Sequence, residues 1–288
     1  MSRVTANGIA VEYEAVGNPS DPALLLVIGL GAQLIEWQED FVHQIAGHGF
    51  YVIRFDNRDA GESSWLDELP VHDVATLLAG TSEAPYSLAD MGDDAAALLD
   101  ALGVEAAHVV GASMGSMIAQ RLVIDHPDKV LSLTSLMSTT GDPDVGQLNE
   151  TTAAALSGPP ATDRESAITA AIAAYRVLGS PGFPVSDEEL RARAEATYDR
   201  GFHPAGTARQ LAAVLTASDR TEALHKVAVP TTVIHGEADP LVDISGGRAT
   251  AAAIPDADLL TIPGMGHDCP RGAWPQIIDA IVRNTRRV

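Results

Sequence analysis

Cysteine is almost missing from this chain: Cys269 is alone among 288 residues. A single thiol excludes an internal disulfide and fits a reducing, cytoplasmic setting. Positive charge is scarce too. Lys and Arg total 18 against 39 Asp and Glu, for a formal charge of −21. Binding to nucleic acid or to an anionic membrane needs clustered Lys and Arg, so neither partner is expected. The acidity serves solubility, and its field favours neutral or cationic small molecules over polyanions. Long hydrophobic runs are also lacking. "ALLLVIGLGA" and "VLSLTSLM" fall far short of the roughly 20 apolar residues that span a bilayer. The opening "MSRVTANGIAVEYEAVGNP" has no long apolar segment after Arg3, so no secretory signal is expected. There is no internal repeat and no low-complexity tract. No two histidines have metal-ligand spacing, so neither a metal nor a bound cofactor is expected.

What is there reads as an ordinary globular chain, 46% apolar and 20% charged, with enough apolar residues for a sizeable core. Residues 9–16 alternate apolar and polar, the period of a half-exposed strand. The stretches 23–31, 51–58, 106–113 and 130–138 are short, nearly continuous apolar runs ending in turn residues, as strands buried on both faces are. Helical spacing fills 88–104 and 114–127, and strand–helix alternation resumes from 230 with strands at 230–239 and 257–264. Helices are expected near 245–254 and 272–287. Such alternation implies a mostly parallel sheet covered by helices, with ligands at the carboxyl ends of its strands.

Residues 140–218 interrupt that alternation. They hold loop-like pieces, including "LSGPPATD" (156–163), and three helical ones, 165–178, 187–200 and 206–218. Too few apolar positions are present for an independent core. The expected organisation is a core of 1–139 and 219–288, with 140–218 as a helical cap over the carboxyl edge.

The stretch "HVVGASMGSMIAQ" (108–120) places Ser113 between two glycines, where a buried-strand pattern passes into a helical one. Five residues of the form G-x-S-x-G are common in turns; the strand-to-helix context makes a nucleophile the sharper reading. Ser116 lies one helical turn on and is given no role. A serine hydroxyl needs a base, and the base needs an orienting acid. Asp239 ends one later strand and His267 follows the last, in the order Ser, Asp, His. Glu237 is the rival acid. Asp243 and Asp268 read as solvated loop charges, His235 as a packed strand histidine, and His108 and His126 as capping or surface residues.

Four stretches, "FDNRDAGESS" (55–64), "GASMG" (111–115), "HGEADPLV" (235–242) and "PGMGH" (263–267), together resemble the α/β-hydrolase fold superfamily over essentially the whole chain. Within it the chain looks most like bacterial serine esterases of the aclacinomycin methyl esterase type, whose R-D-x-G-x-S signature is matched by Arg58, Asp59, Gly61 and Ser63. The resemblance implies an eight-stranded, mostly parallel sheet, with Ser113 as nucleophile, His267 as base and Asp239 as its orienter. It also implies that backbone N–H groups of Leu30 and Met114 form an oxyanion hole. Ile28-Gly29-Leu30-Gly31 departs from the His-Gly that many members carry there, which puts the support of that loop in question. Trp37, Tyr175 and Phe183 are candidates to line a pocket for an apolar small-molecule ester, with Trp65 and Tyr198 beside them. A methyl ester of a bulky acid is the favoured substrate. Carbon–carbon bond hydrolases and cofactor-free perhydrolases share the constellation, and a non-catalytic binding protein is the rival from another class. A homo-oligomer is compatible with the sequence, which does not set the oligomeric state.

Overall fold

The continuous apolar runs form the middle of a single eight-stranded sheet. The computed structural model describes residues 1–156 and 161–288, so the loop read at 156–163 lies partly outside the described residues. In chain order the strands are β1 (Ser2–Ala6), β2 (Ile9–Val16), β3 (Ala23–Val27), β4 (Tyr51–Phe55), β5 (Ala107–Ala112), β6 (Val130–Leu136), β7 (Thr231–Gly236) and β8 (Asp258–Ile262). They lie side by side as β1-β2-β4-β3-β5-β6-β7-β8. The β1–β2 and β2–β4 pairs are antiparallel and all others parallel, as the sequence implies.

The helices are α1 (Glu39–Ala46), α2 (Val74–Leu78), α3 (Leu88–Ala101), α4 (Met114–Asp125), α5 (Glu150–Leu156), α6 (Arg164–Leu178), α7 (Asp187–Gly201), α8 (Pro204–Leu215), α9 (Thr221–Leu224), α10 (Ile244–Ala253) and α11 (Trp274–Thr285). Side chains alternate across β3, because strand residues point to opposite faces. Leu25 and Val27 pack with Met91, Leu98 and Ile118 from α3 and α4. Leu24 and Leu26 pack on the other face with Phe41 of α1 and Ile277 of α11. Every residue of β3 and β5 is therefore buried. Among the described residues, no helix is long and apolar enough to cross a membrane.

Among the described residues five helices, α5 to α9, stand between β6 and β7 in the chain, the first four of them within 140–218. Their ends are set by local chemistry. Asp163 and Ser166 form a capping box at α6, Ser186 caps α7, and Pro204 opens α8 where no backbone donor is needed. Asp243, expected as a solvated loop charge, instead caps α10 by accepting from the N–H of Ser245. Outside the sequence-based expectations lie β1, a short edge strand, and the helices α1, α2, α5 and α9. Of these, α1 carries Phe41, Val42 and Ile45 on its buried face.

Candidate active site

Ser113 occupies the apex between β5 and α4 with φ 57° and ψ −124°, a left-handed conformation that costs a non-glycine residue about 1–3 kcal/mol. The flanking glycines explain how the chain turns so sharply. A Cβ on Gly111 would come 2.4 Å from the Gly115 carbonyl oxygen, and one on Gly115 would come 2.2 Å from that of Val27. The turn is locked from behind. The Ser113 N–H donates to Leu136 over 2.9 Å, and the Ser138 hydroxyl donates to the Ser113 carbonyl over 3.0 Å. Ser116, left without a role above, is fully buried and has a structural one. Its hydroxyl donates to Gly111 at 2.6 Å and accepts from the Leu136 N–H at 2.9 Å, joining the turn to β6.

The Ser113 hydroxyl is left free for another partner. His267 Nε2 lies 2.8 Å from its Oγ, and His267 Nδ1 lies 2.7 Å from Asp239 Oδ2. Asp239 is buried, and its other oxygen accepts from the N–H groups of Leu241 and Val242 at 2.9 and 3.0 Å. Because a carboxylate only accepts, this arrangement puts the imidazole proton on Nδ1 and leaves Nε2 to accept from the serine. The fold thus brings together the three residues singled out in the sequence, from the ends of β5, β7 and β8. Glu237 does not join them; its carboxylate accepts from Thr261 at the surface. His235 is buried in β7 with Nε2 2.8 Å from the Val242 carbonyl and 3.6 Å from Asp239, and burial lowers its pKa.

Two other titratable residues differ from expectation. Asp268 is not a solvated charge: Ser180 donates to it and burial raises its pKa. His108 is buried on β5 against Ser132 and Phe50, with its pKa lowered by burial, so it is neither a cap nor a surface residue. His126 does end α4 and pairs with Asp93.

Met114 follows the serine in the chain, and Leu30 follows Gly29, which packs against Ser113. Met114 begins α4, whose first N–H groups have no partner within the helix. Gly29 passes so close that a Cβ there would lie 3.1 Å from Ser113 Cβ. Several side chains hold the 28–36 segment. Asn57 donates to Ile28, and buried Asp56 accepts from the Leu34 N–H at 2.7 Å. Gln33 donates to the carbonyls of Thr197 and Gly201 in α7, and Glu36 accepts from Tyr175, Arg193 and Thr197. The R-D-x-G-x-S residues act nearby as scaffold: Arg58 is clamped to Asp94, Asp59 to Arg209, and Ser63 bridges Asp56 and Glu12.

Beside this segment lies a cavity of about 310 Å³, bounded by Gly31 and Gln33 and by Ala171, Tyr175, Tyr198 and Phe202. Tyr198 and Phe202 stack with ring centroids 4.9 Å apart. Trp37 does not line it; this ring is 2% exposed and stacked on Phe41 in the core cluster that also holds Trp274, where an apolar ring is removed from water. Phe183 also turns away, packing on Gly272 and the same core cluster. Trp65 stacks at 4.1 Å on His203, which does line the cavity. Neither this cavity nor a larger open depression of about 580 Å³ near Leu77 and Tyr86 is lined by Ser113, Asp239 or His267; the smaller one adjoins the turn at Gly31. Among the described residues no group of side chains could hold a metal ion.

A strand-to-helix serine turn, with acid and histidine following at later strand ends, defines a hydrolase-type centre on an α/β scaffold. The chain belongs to the α/β-hydrolase fold family, whose profile matches residues 22–269. Among curated relatives it is similar to rhodomycin D methylesterase DauP of a Streptomyces species, 30% identical over 98% of this chain and 97% of that one. Among solved structures it resembles the meta-cleavage product hydrolase CumD of Pseudomonas fluorescens, with TM-score 0.79 and 20% identity over 100% of this chain and 98% of that one. A hydrolase from Pseudomonas aeruginosa gives TM-score 0.73 at 26% identity, over 100% of this chain and 98% of that one.

Proposed function

We propose that this protein is a serine hydrolase of carboxylic esters that works through an acyl-enzyme. The observation that carries the reading is the continuous hydrogen-bonded chain from Ser113 Oγ through the His267 ring to Asp239, set at a strained turn. In this mechanism His267 takes the proton as Ser113 attacks the ester carbonyl. Backbone N–H groups of Leu30 and Met114 hold the oxyanion, and His267 returns the proton to the departing alcohol. Water activated by the same ring then releases the acid. Asp239 fixes the imidazole tautomer and stabilises the imidazolium.

In this reading residues 140–218 act as a cap over a core of 1–139 and 219–288. The substrate is a methyl ester of a bulky, apolar acid. Similarity to a rhodomycin D methylesterase supports the methyl ester. The aromatic- and alanine-lined cavity beside Gly31 supports an apolar acyl group, and its volume falls at the low end for small-molecule sites. The single thiol and the deficit of positive charge fit a cytoplasmic enzyme with no nucleic-acid or membrane partner. The test is a panel of methyl and p-nitrophenyl esters with a vinylogous 1,5-diketone alongside. Turnover of the esters and not the diketone supports the reading; diketone cleavage without esterase activity overturns it.

A further inference from the structure

Residues 29–32 form a tight turn in which the Ala32 N–H donates to the Gly29 carbonyl over 3.3 Å and Gly31 has φ 65°. Glycine with positive φ in the third place is the mark of a type II turn. Type I and type II turns differ chiefly by a flip of the central peptide, here Leu30–Gly31, so groups outside the turn decide which orientation persists. The outside group here is Gln210, fully buried on α8. Its Oε1 accepts from the Gly31 N–H at 2.8 Å, and its Nε2 donates to the Arg58 carbonyl at 2.7 Å. One helical turn earlier Thr207 presses on the same glycine, so that a Cβ on Gly31 would lie 2.9 Å from Thr207 Cγ2. On its other side the turn rests against Ser113 through Gly29.

We infer that Gln210 is a positioning residue for ester hydrolysis: by accepting from the Gly31 N–H its amide holds the whole 29–32 turn in the form in which the preceding Gly29–Leu30 peptide presents the Leu30 N–H to the oxyanion. The inference rests on the assignment of Leu30 as a donor in the proposed mechanism. An amide suits the place because one end must accept from Gly31 and the other must donate to Arg58. A hydrocarbon offers neither, and a carboxylate would face the Arg58 carbonyl with a second acceptor. The missing histidine of the 28–31 segment thereby has a replacement, supplied not by the turn itself but by a helix 179 residues further along the chain.

The experiment uses the full chain with Gln210→Leu, and Gln210→Asn as a second variant whose side chain is one methylene too short to span both partners. Fluorophosphonate labelling counts competent Ser113 sites, so rates are expressed per labelled site. The expected result for p-nitrophenyl acetate is a kcat lower by about ten- to a hundredfold, below the cost of deleting a donor outright. KM should move less than about threefold, since the lost interaction belongs to the transition state. Affinity for a boronic acid, which forms a tetrahedral adduct on the serine, should fall with kcat. Folded variants whose kcat per site and boronate affinity both stay within about twofold of the parent would overturn the inference. So would a raised KM with kcat unchanged. If the Leu variant does not fold, the Asn variant decides on the same criteria. Failure of the mechanism itself is distinct, because then the parent protein neither labels at Ser113 nor turns over.

Discussion

The hydroxyl of Ser180 accepts a 2.8 Å hydrogen bond from the N–H of Gly266, the residue that precedes His267. The same hydroxyl donates to Asp268, and the His267 N–H donates to the Leu178 carbonyl over 2.7 Å. The histidine loop is therefore seated on the segment that leaves α6. Ser180→Ala strips the buried Gly266 N–H of its acceptor and half-buried Asp268 of one of its donors. Each such loss costs about 1–3 kcal/mol. Urea denaturation should show a loss in that range, and kcat should fall severalfold while KM holds. An unchanged kcat would detach Ser180 from the placement of His267.

The turn itself tolerates no added carbon. Gly115→Ala places a methyl 2.2 Å from the Val27 carbonyl oxygen and 2.7 Å from that of Ile28, both rigid backbone. Overpacking of this kind costs about 1–3 kcal/mol, and the displaced turn carries Ser113 with it. Loss of esterase activity with a lowered melting temperature is the expected outcome, read by a thermal melt beside an ester assay.

Asp59 supplies a pH test. Burial opposes its ionisation, but hydrogen bonds from Arg209, the Leu66 N–H and Tyr86 outweigh burial and hold its pKa below the usual carboxylate value. A pKa depressed by folding adds stability above the unfolded value, about 3.9, and that stability is lost as pH falls through the folded one. Arg209→Met leaves the carboxylate buried and unpaired, a change worth about 3–5 kcal/mol at neutral pH. The gap between parent and variant should close as the medium is taken below about pH 4, which denaturant titrations at several pH values would follow. A gap independent of pH would contradict the pairing.

If the cavity next to Gly31 takes the acyl group, filling it discriminates between substrates. Ala171 lines that cavity on α6. Ala171→Phe should raise KM for bulky aromatic methyl esters by about tenfold or more, as lost pocket contacts of 1–3 kcal/mol would. The p-nitrophenyl acetate rate should stay within about twofold. Equal losses on both substrates would place the acyl group elsewhere.

Much of this site was legible in the sequence because each of its parts closes a strand. Buried strands read as apolar runs, and the turn residues that end them hold Ser113, Asp239 and His267. What escaped the sequence depends on partners far away in the chain. Gln210 is one polar residue in an alanine-rich helix and looks like a solvent-facing position. Only its placement against Gly31 and Arg58 shows that it is fully buried. Asp268 looked solvated for the same reason, its donor Ser180 being 88 residues away. Trp37 misled through nearness: it follows the 29–32 turn in sequence, yet stacks on Phe41 in the core. The short edge strand β1 has too few buried residues to show a period.

The central claim is that Ser113 becomes covalently acylated, and mass spectrometry of the intact protein tests it most directly. Quenching the enzyme early in turnover of a slow p-nitrophenyl ester should add one acyl mass, mapped by peptide digestion to Ser113. His267→Ala should abolish the adduct by removing the base. Ester turnover that persists in Ser113→Ala, or an acyl group mapped to any other residue, would contradict the account.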